Sequence, residues 1–323
     1  MKFKLGARGR IGLAVFAAAV LMAGCGGELP ILSQIKEPQA FTKAESMILV
    51  ATERNRYEQL YTDQIWGTVL PGGQTFEDYL LDQVKDFLQD MRQINNMAQE
   101  NGIVIDSAEK EELRRLSEEY YNGLTADDIA YMGIGEEDVR TVYEAYFLAN
   151  ETVQTMTESL NLEVSDSEAK VVDLQRITLS DSETAQEVLS LVTGENGDFE
   201  GTAKEYSEDS VIDIQIGRGE KSQSVEDTVF ALTVGQISPV VEDGGKYYIF
   251  KCVNDYNQEA TQARKEIIYQ QRKEDAFYQI YEEYKAANPV VFDDSIWQEI
   301  AISKEDKTTT TNFFQLYQEY FPE

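Results

Sequence analysis

The feature that most constrains the fold is a change of hydrophobic period along the chain. Residues 41–165 and 258–301 carry apolar side chains at steps of three and four, which predicts amphipathic helices. Between them, residues 166–257 hold short alternating runs rich in β-branched side chains, which is typical of strands. Long amphipathic helices need a partner face, so the simplest architecture is a small strand-bearing domain inserted into a helical one. The sequence therefore predicts an α+β protein.

Capping signals place several of these elements. Thr75 with Asp78 predicts the start of a long helix that Asn101-Gly102 ends, and Asp106 with Glu109 predicts the start of the next helix. In the middle segment the predicted order is strand, helix, helix, strand, helix, strand, strand. Residues 302–323, which include a run of four threonines, are expected to form a partly disordered tail.

The first residues have the composition of an export signal. Met1–Arg10 is basic, and Ile11–Ala23 is apolar but too short to span a bilayer as a mature helix. The small residues that precede Cys25 make this end resemble a bacterial lipobox, although Met22 stands where leucine is usual. The expectation is a lipoprotein signal peptide over 1–24, a lipid on Cys25 and a tether over 25–40. An ordinary secretory signal with an incidental cysteine is the alternative.

The charge balance excludes one class of partner. The chain has 59 acidic and 28 basic residues, and removal of residues 1–24 takes the net charge from −31 to −35. Contacts to nucleic-acid phosphates need basic patches, so nucleic acid is not expected as a partner. The excess of acidic residues is expected to keep the protein soluble or, alternatively, to attract basic client proteins. If Cys25 carries the lipid, Cys252 has no disulfide partner in the chain and is expected to be a small buried apolar residue.

Several motifs in residues 170–257 resemble those of parvulin-type peptidyl-prolyl isomerases. They are ETAQEVLSLVTG, DFEGTAKEYSED, RGE, VEDTVFALTVGQISPVV and KYYIFKCVND. The helical segments QENGIVIDSAEKEEL and MGIGEEDVRTVYEAYFLANETV resemble the chaperone module of bacterial foldases of the PrsA and SurA kind. The resemblance implies a helical chaperone-like domain over 41–165, an inserted parvulin-like domain of antiparallel sheet and short helices over 166–257, and a C-terminal helix over 258–301 that returns to the helical domain.

The same resemblance implies a membrane-anchored foldase on the extracytoplasmic face, which acts on unfolded or newly secreted polypeptides. Isomerase activity stays open, and the alternative is a holdase or assembly scaffold whose parvulin-like domain only binds. A solute-binding lipoprotein is a further alternative, which would require two lobes of alternating parallel strands. The oligomeric state also stays open, a homodimer included.

The resemblance further implies where the site lies, and this chain departs from the usual pattern there. The chain has no histidine: Arg176 and Tyr248 stand at the two positions that usually carry one, and Asp209 takes the acidic position. Lys221 and Val225 stand where apolar side chains usually hold the proline ring. Phe230, which belongs to the motif around them, is the third expected substrate-binding residue.

The missing histidines do not exclude the chemistry. Prolyl isomerisation needs an apolar slot and polar groups that favour the twisted amide, and it needs no nucleophile. No metal or cofactor is expected. The structural alternatives are a solvated carboxylate at a helix end for Asp209 and a core tyrosine with a satisfied hydroxyl for Tyr248.

Overall fold

The computed structural model describes residues 40–302 and 307–322. They divide into two compact units: a sheet unit, Leu160–Ala276, and a helical unit formed by the described residues on either side of it. The predicted leader, tether and lipid-attachment residue Cys25 lie outside the described residues. No helix within 40–302 or 307–322 has both the length and the apolar character needed to cross a bilayer.

Eleven α-helices and four strands make up the described part of the chain. The helices are α1 (Lys43–Tyr61), α2 (Phe76–Glu100), α3 (Ser107–Gly123), α4 (Ala126–Met132), α5 (Glu136–Thr157), α6 (Asp166–Ala169), α7 (Ser182–Thr193), α8 (Phe199–Tyr206), α9 (Gln223–Val229), α10 (Gln258–Ala287) and α11 (Phe313–Tyr320). The strands are β1 (Val171–Leu179), β2 (Asp213–Gly217), β3 (Val241–Asp243) and β4 (Lys246–Asn254). Short 3₁₀ helices lie at Asp63–Gly67 and Ser295–Gln298.

The predicted helix starts are confirmed by hydrogen bonds. The hydroxyl of Thr75 accepts from the backbone N–H of Asp78 at 3.1 Å, at the start of α2. At the start of α3, the Asp106 carboxylate accepts from the N–H of Glu109, and the Glu109 carboxylate accepts from the N–H of Asp106. Each such cap contributes about 1 kcal/mol by pairing N–H groups that the helix itself leaves free.

Helix α1 lies at the centre of the helical unit. Its residues from Glu45 to Asn55 are buried on all sides, so polar side chains are buried along with apolar ones. Arg54 is 1% exposed and is paired through Nε with the Glu58 carboxylate at 3.2 Å. Glu58 also accepts from the indole N–H of Trp66 at 2.7 Å. A buried charge is tolerated only when it is paired in this way.

The C-terminal residues are part of this core, which differs from the predicted tail. The Asp128 carboxylate, at the start of α4, accepts from the backbone N–H groups of Thr309 and Thr310 at 2.7 and 3.2 Å. Phe313 is fully buried, and its ring stacks on Tyr143 of α5 with 4.1 Å between the ring centroids. Side chains remote in sequence thus fix residues 307–322 in the core, and the threonine run by itself gives no sign of this.

The sheet unit carries one antiparallel sheet with strand order β2-β1-β4-β3. Strands β3 and β4 are joined by Gly244-Gly245, both at positive φ (58° and 78°), which suits a tight hairpin turn. Apart from the short helix α6, which the sequence did not predict, the order of strands and helices is the predicted one, and the α+β class with an inserted antiparallel domain is confirmed. The described residues contain no parallel sheet of the kind that a solute-binding lipoprotein would require.

Each face of the sheet has its own core. Helices α7 and α8 supply Val188, Phe199 and Ala203 to one face, which also holds Ile177 of β1 and Ile249 of β4. On the opposite face, which we call the α9 face, α9 packs over the alternate residues of the same strands. The buried members of the α9 face are Val172, Leu174, Ile216, Val225, Val229, Leu232, Val241, Phe250 and Cys252. Cys252 is 1% exposed, as expected for a small apolar residue, and burial raises the pKa of its thiol.

Candidate functional site

The two adjacent tyrosines of β4 point to opposite faces of the sheet, as strand alternation requires. Tyr247 is half-buried against the core under α7 and α8, and Tyr248 is half-buried against the core of the α9 face. The ring of Tyr248 stacks on Phe250 two residues along the same strand, with 6.0 Å between centroids. Tyr248 is therefore partly core and partly exposed surface on the α9 face.

Arg176 and Asp209 form an ion pair beside this tyrosine. Asp209 follows the end of α8, and its carboxylate accepts from Nη2 of Arg176 in the middle of β1. The second carboxylate oxygen accepts from the backbone N–H of Val211 at 2.9 Å. The Arg176 side chain is 18% exposed and that of Asp209 is 39% exposed. The ion pair is thus held in place by the backbone of Val211 and remains partly accessible to solvent.

The register of the sheet brings this pair close to Tyr248. Thr178 is the cross-strand partner of Tyr248, and Arg176 is the partner of Phe250. Directly opposed residues have Cβ atoms about 5 Å apart, and the diagonal neighbours are within reach of long side chains. Arg176, Asp209 and Tyr248, the three predicted catalytic residues, therefore lie together at one end of the α9 face.

Lys221 and Val225 are placed differently from each other. Lys221 is exposed, but its backbone N–H donates to the Glu226 carboxylate at 3.2 Å, which fixes the loop before α9. Val225 is 3% exposed in the core of the α9 face. Its side chain packs inside this core and offers almost no exposed surface to a bound proline ring.

Phe230 packs against the same α9-face core as Val225 and Tyr248, but its cationic neighbours lie at the start of β1. Its ring lies 4.3 Å from the Arg218 guanidinium carbon and 6.0 Å from Lys170 Nζ, beside the first residues of β1. Arg176 lies six residues farther along the strand from Lys170, which is roughly 20 Å of extended chain. The backbone of Lys170, beside Phe230, is thus well separated along the sheet from that of Arg176 in the Asp209 pair.

One residue of the site escaped the sequence reasoning. Thr178 is 3% exposed, and its hydroxyl has no hydrogen-bond partner among the described residues; the same holds for Nε of Arg176. Both atoms lie in β1 on the α9 face, next to Tyr248. Buried polar atoms without a partner are rare, so two at one place mark a polar site inside an apolar face. The signal was available, because Thr178 follows Arg176 by two residues and strand alternation places both on one face.

The described residues contain no group of histidine, cysteine, aspartate and glutamate side chains arranged to hold a metal ion. Arg176, Asp209, Thr178 and Tyr248 instead offer hydrogen bonds and opposite charges next to a half-apolar surface. Such a group can bind and orient a peptide, and it contains no activated nucleophile.

These features define the sheet unit as a small α+β domain that resembles parvulin-type peptidyl-prolyl isomerases. No family model matches the chain. The peptidyl-prolyl cis-trans isomerase ESS1 of Saccharomyces cerevisiae is 36% identical over 89 residues, which cover 24% of this chain and 52% of that protein. The chain thus spans about half the length of this curated relative. The resemblance to parvulin-type isomerases that the motifs indicated is confirmed by this match.

Similar solved structures include two PrsA proteins. The foldase protein PrsA of Streptococcus pneumoniae is 22% identical and covers 72% of this chain and 97% of its own, with a TM-score of 0.29. The PrsA peptidylprolyl isomerase of Bacillus cereus is 18% identical and covers 78% of this chain and 97% of its own, with a TM-score of 0.39.

Proposed function

We propose that the protein is a lipid-anchored foldase on the extracytoplasmic face of the membrane, with a parvulin-type prolyl isomerase site in its sheet unit. Its clients are unfolded or newly secreted polypeptides. The observation that carries the proposal is the juxtaposition of the Asp209–Arg176 ion pair with half-buried Tyr248 on one face of the sheet. The match to a peptidyl-prolyl isomerase over 89 residues supports the same reading.

The reaction asks little of the protein beyond selective binding. The barrier to rotation about the peptide bond is about 18–20 kcal/mol and comes from amide resonance. A site accelerates rotation when it binds the twisted amide more tightly than the planar one. Polar groups held in place around an apolar surface do this, because they need not reorganise when the carbonyl dipole turns.

Each residue then has a defined role. The ring of Tyr248 forms an apolar wall against which the proline packs, and its hydroxyl offers a hydrogen bond to the peptide. The exposed side of the Arg176 guanidinium donates to the carbonyl oxygen as it rotates out of the amide plane. Asp209 is a positioning residue, because it holds Arg176 through Nη2 and is itself held by the N–H of Val211.

A proline-limited refolding assay tests the isomerase with matched variants. We expect Tyr248→Phe to lower kcat/KM at least about threefold, and Asp209→Asn about tenfold, or 1.4 kcal/mol. Tyr247→Phe is the control for the first variant, because it removes the same hydroxyl from the opposite face. Glu208→Gln is the control for the second, because Glu208 pairs with Lys246 and Ser180 instead of Arg176. Equal rates in all four variants, or no acceleration by the unaltered chain, would contradict an isomerase site here.

A holdase without turnover is the second candidate, and the exposure of Lys221 with the burial of Val225 favours it. Together they leave Tyr248 as the main half-exposed apolar side chain at this end of the face. A holdase suppresses aggregation of a refolding client without changing the rate of its proline-limited phase. Measuring light scattering and refolding rate in the same sample separates the two functions.

The membrane anchor rests on the sequence alone, since residues 1–39 lie outside the described part. We expect Cys25 to incorporate a radiolabelled fatty acid in cells, and Cys25→Ala to abolish the label and release the protein from the membrane fraction. Cys252→Ala is the matched control, because Cys252 is the other cysteine of the chain. Label that persists in Cys25→Ala would exclude this anchor.

A further inference from the structure

Two cations of the sheet unit that lack a carboxylate partner among the described residues lie over the same aromatic ring. Most basic side chains of this unit have a carboxylate partner: Arg176, Lys204, Lys246, Arg264, Lys265 and Arg272. Within the described residues, Lys170 and Arg218 have none. Lys221 and Lys251 also lack an ion-pair partner there, but Lys170 and Arg218 are set apart because both contact Phe230.

Both cations lie over the ring of Phe230, at the start of β1. The guanidinium carbon of Arg218 is 4.3 Å from the ring centroid, and Nζ of Lys170 is 6.0 Å from it. The backbone N–H of Arg218 donates to the carbonyl of Lys170 at 3.0 Å, so the two residues are fixed to each other. Cation–π contacts of this kind hold a side chain in place without consuming its hydrogen-bond donors.

The Arg218 guanidinium is pre-oriented for a ligand. Its Nε donates to the carbonyl of Ser167 at 3.1 Å, and its face rests on Phe230. The two terminal nitrogens have no partner among the described residues, and the residue is exposed. These nitrogens form a planar fork that matches a carboxylate with two parallel hydrogen bonds. Because the fork is already immobilised, binding loses little side-chain entropy.

The neighbouring carboxylates are already engaged. Glu220 pairs with Arg264 and accepts from the N–H of Gly217 at 3.0 Å, and Asp166 pairs with Lys265 at 2.7 Å. Glu226 accepts from the N–H groups of Gly219 and Lys221. An anion for Arg218 and Lys170 would therefore come from another molecule.

We propose that Arg218, Lys170 and Phe230 form a binding site for an acidic peptide segment. The fork of Arg218 binds one carboxylate through two hydrogen bonds, and Lys170 attracts a second. In an extended peptide, side chains two residues apart point to the same side and are about 7 Å apart, which suits two cations placed over one ring. The site goes beyond the proposed isomerase, because it requires no turnover and its cations lie at the start of β1, away from the Asp209 pair.

Fluorescence anisotropy with the full-length chain tests the site. The probe is a fluorescein-labelled peptide of alternating aspartate and glycine, compared with its asparagine counterpart. We expect the aspartate peptide to bind about tenfold more tightly at low salt, and the difference to shrink at about 0.5 M NaCl. Arg218→Gln should weaken it about fivefold, and Arg218→Lys by an intermediate factor, because lysine keeps the charge but loses the fork.

Lys251→Gln is the matched control. Lys251 also lacks an ion-pair partner within the described residues, but its Nζ lies 5.9 Å from the ring of Phe199 in another part of the unit. We expect Lys251→Gln to change the affinity of the protein for the aspartate peptide by less than twofold. Equal binding of the two peptides, absence of binding, or equal weakening by Arg218→Gln and Lys251→Gln would overturn the proposal. If Arg218→Gln lowers the melting temperature, Lys170→Gln gives the same comparison. Isomerase activity on an uncharged peptide should be unchanged in all of these variants, which separates this site from the proposed active site.

Discussion

Replacing Phe313 with alanine tests whether the C-terminal segment stabilises the core of the helical unit. Phe313 is fully buried, stacks on Tyr143 at 4.1 Å between centroids and meets Tyr120 edge-on at 5.6 Å. Truncation of a buried phenylalanine costs about 3–5 kcal/mol, and these ring contacts favour the upper part of that range. A loss of about 4 kcal/mol is a large share of a stability of roughly 5–15 kcal/mol. It should lower the melting temperature by about 8–16 °C.

Tryptophan fluorescence reports on this unit selectively, because both tryptophans of the chain, Trp66 and Trp297, belong to it. Urea and thermal unfolding should therefore be followed at the tryptophan emission. Tyr278→Ala is the control: Tyr278 is in the same unit, is 55% exposed and should change the stability by less than about 0.5 kcal/mol. A loss of less than about 1 kcal/mol in Phe313→Ala would refute the reasoning, because removing a fully buried side chain with four ring neighbours should cost more than that.

For three further substitutions the structure determines whether the protein becomes more or less stable. Thr62 has φ 63° and ψ 174°, a region that only glycine enters freely, so Thr62→Gly should stabilise the helical unit by about 1 kcal/mol in urea unfolding. Burial raises the pKa of Glu53 above 4.5, so its ionised form opposes folding at pH 7 and this penalty disappears below the unfolded pKa. Glu53→Gln should therefore raise the melting temperature at pH 7 and leave it nearly unchanged at pH 4. A Cβ on Gly197 would lie 2.3 Å from the backbone carbonyl oxygen of Val192, so Gly197→Ala should cost the sheet unit about 1–2 kcal/mol by circular dichroism, while Gly67→Ala, with no atom near its Cβ, should not destabilise the helical unit.

The sequence was most informative where local rules decide the structure. The start of α2 at Thr75 and the start of α3 at Asp106 follow from side chains that cap their own helices. The sheet followed equally well, because alternation and the Gly244-Gly245 turn determine strands and hairpin without distant contacts. The position of Tyr248 on the α9 face is a direct consequence of this alternation.

Contacts between distant residues were less accessible to sequence reasoning. The threonine run reads as a tail by composition, but Asp128, about 180 residues earlier, binds its backbone. The apolar residues Phe313, Leu316, Tyr317 and Tyr320 do recur at helical spacing, and this signal could have predicted α11.

In the candidate site, too, some residues could be located from the sequence and others depend on contacts between distant segments. The motif resemblance named Asp209, Arg176 and Tyr248, and register brings them to one end of the sheet. It also named Phe230, whose actual neighbours, Lys170 and Arg218, come from the start of β1 and the loop after β2. A motif gives the order of residues along the chain, but the partner of each ring depends on which strand ends meet. Likewise, the hydroxyl of Thr178 is recognised as part of the site only because it is buried.

The described residues of the helical unit come from both sides of the sheet unit in the sequence, and this sets an order of events during synthesis. A chain emerges from the ribosome N-terminus first, so every residue of the sheet unit is available before α11 exists. Helix α1, by contrast, contributes a side chain to a hydrogen bond that spans 254 positions, between Arg54 and Thr308. Its central residues therefore stay incompletely covered until the chain has been made past residue 308. A foldase of the kind proposed here would thus itself have an incompletely covered helix while it is being made.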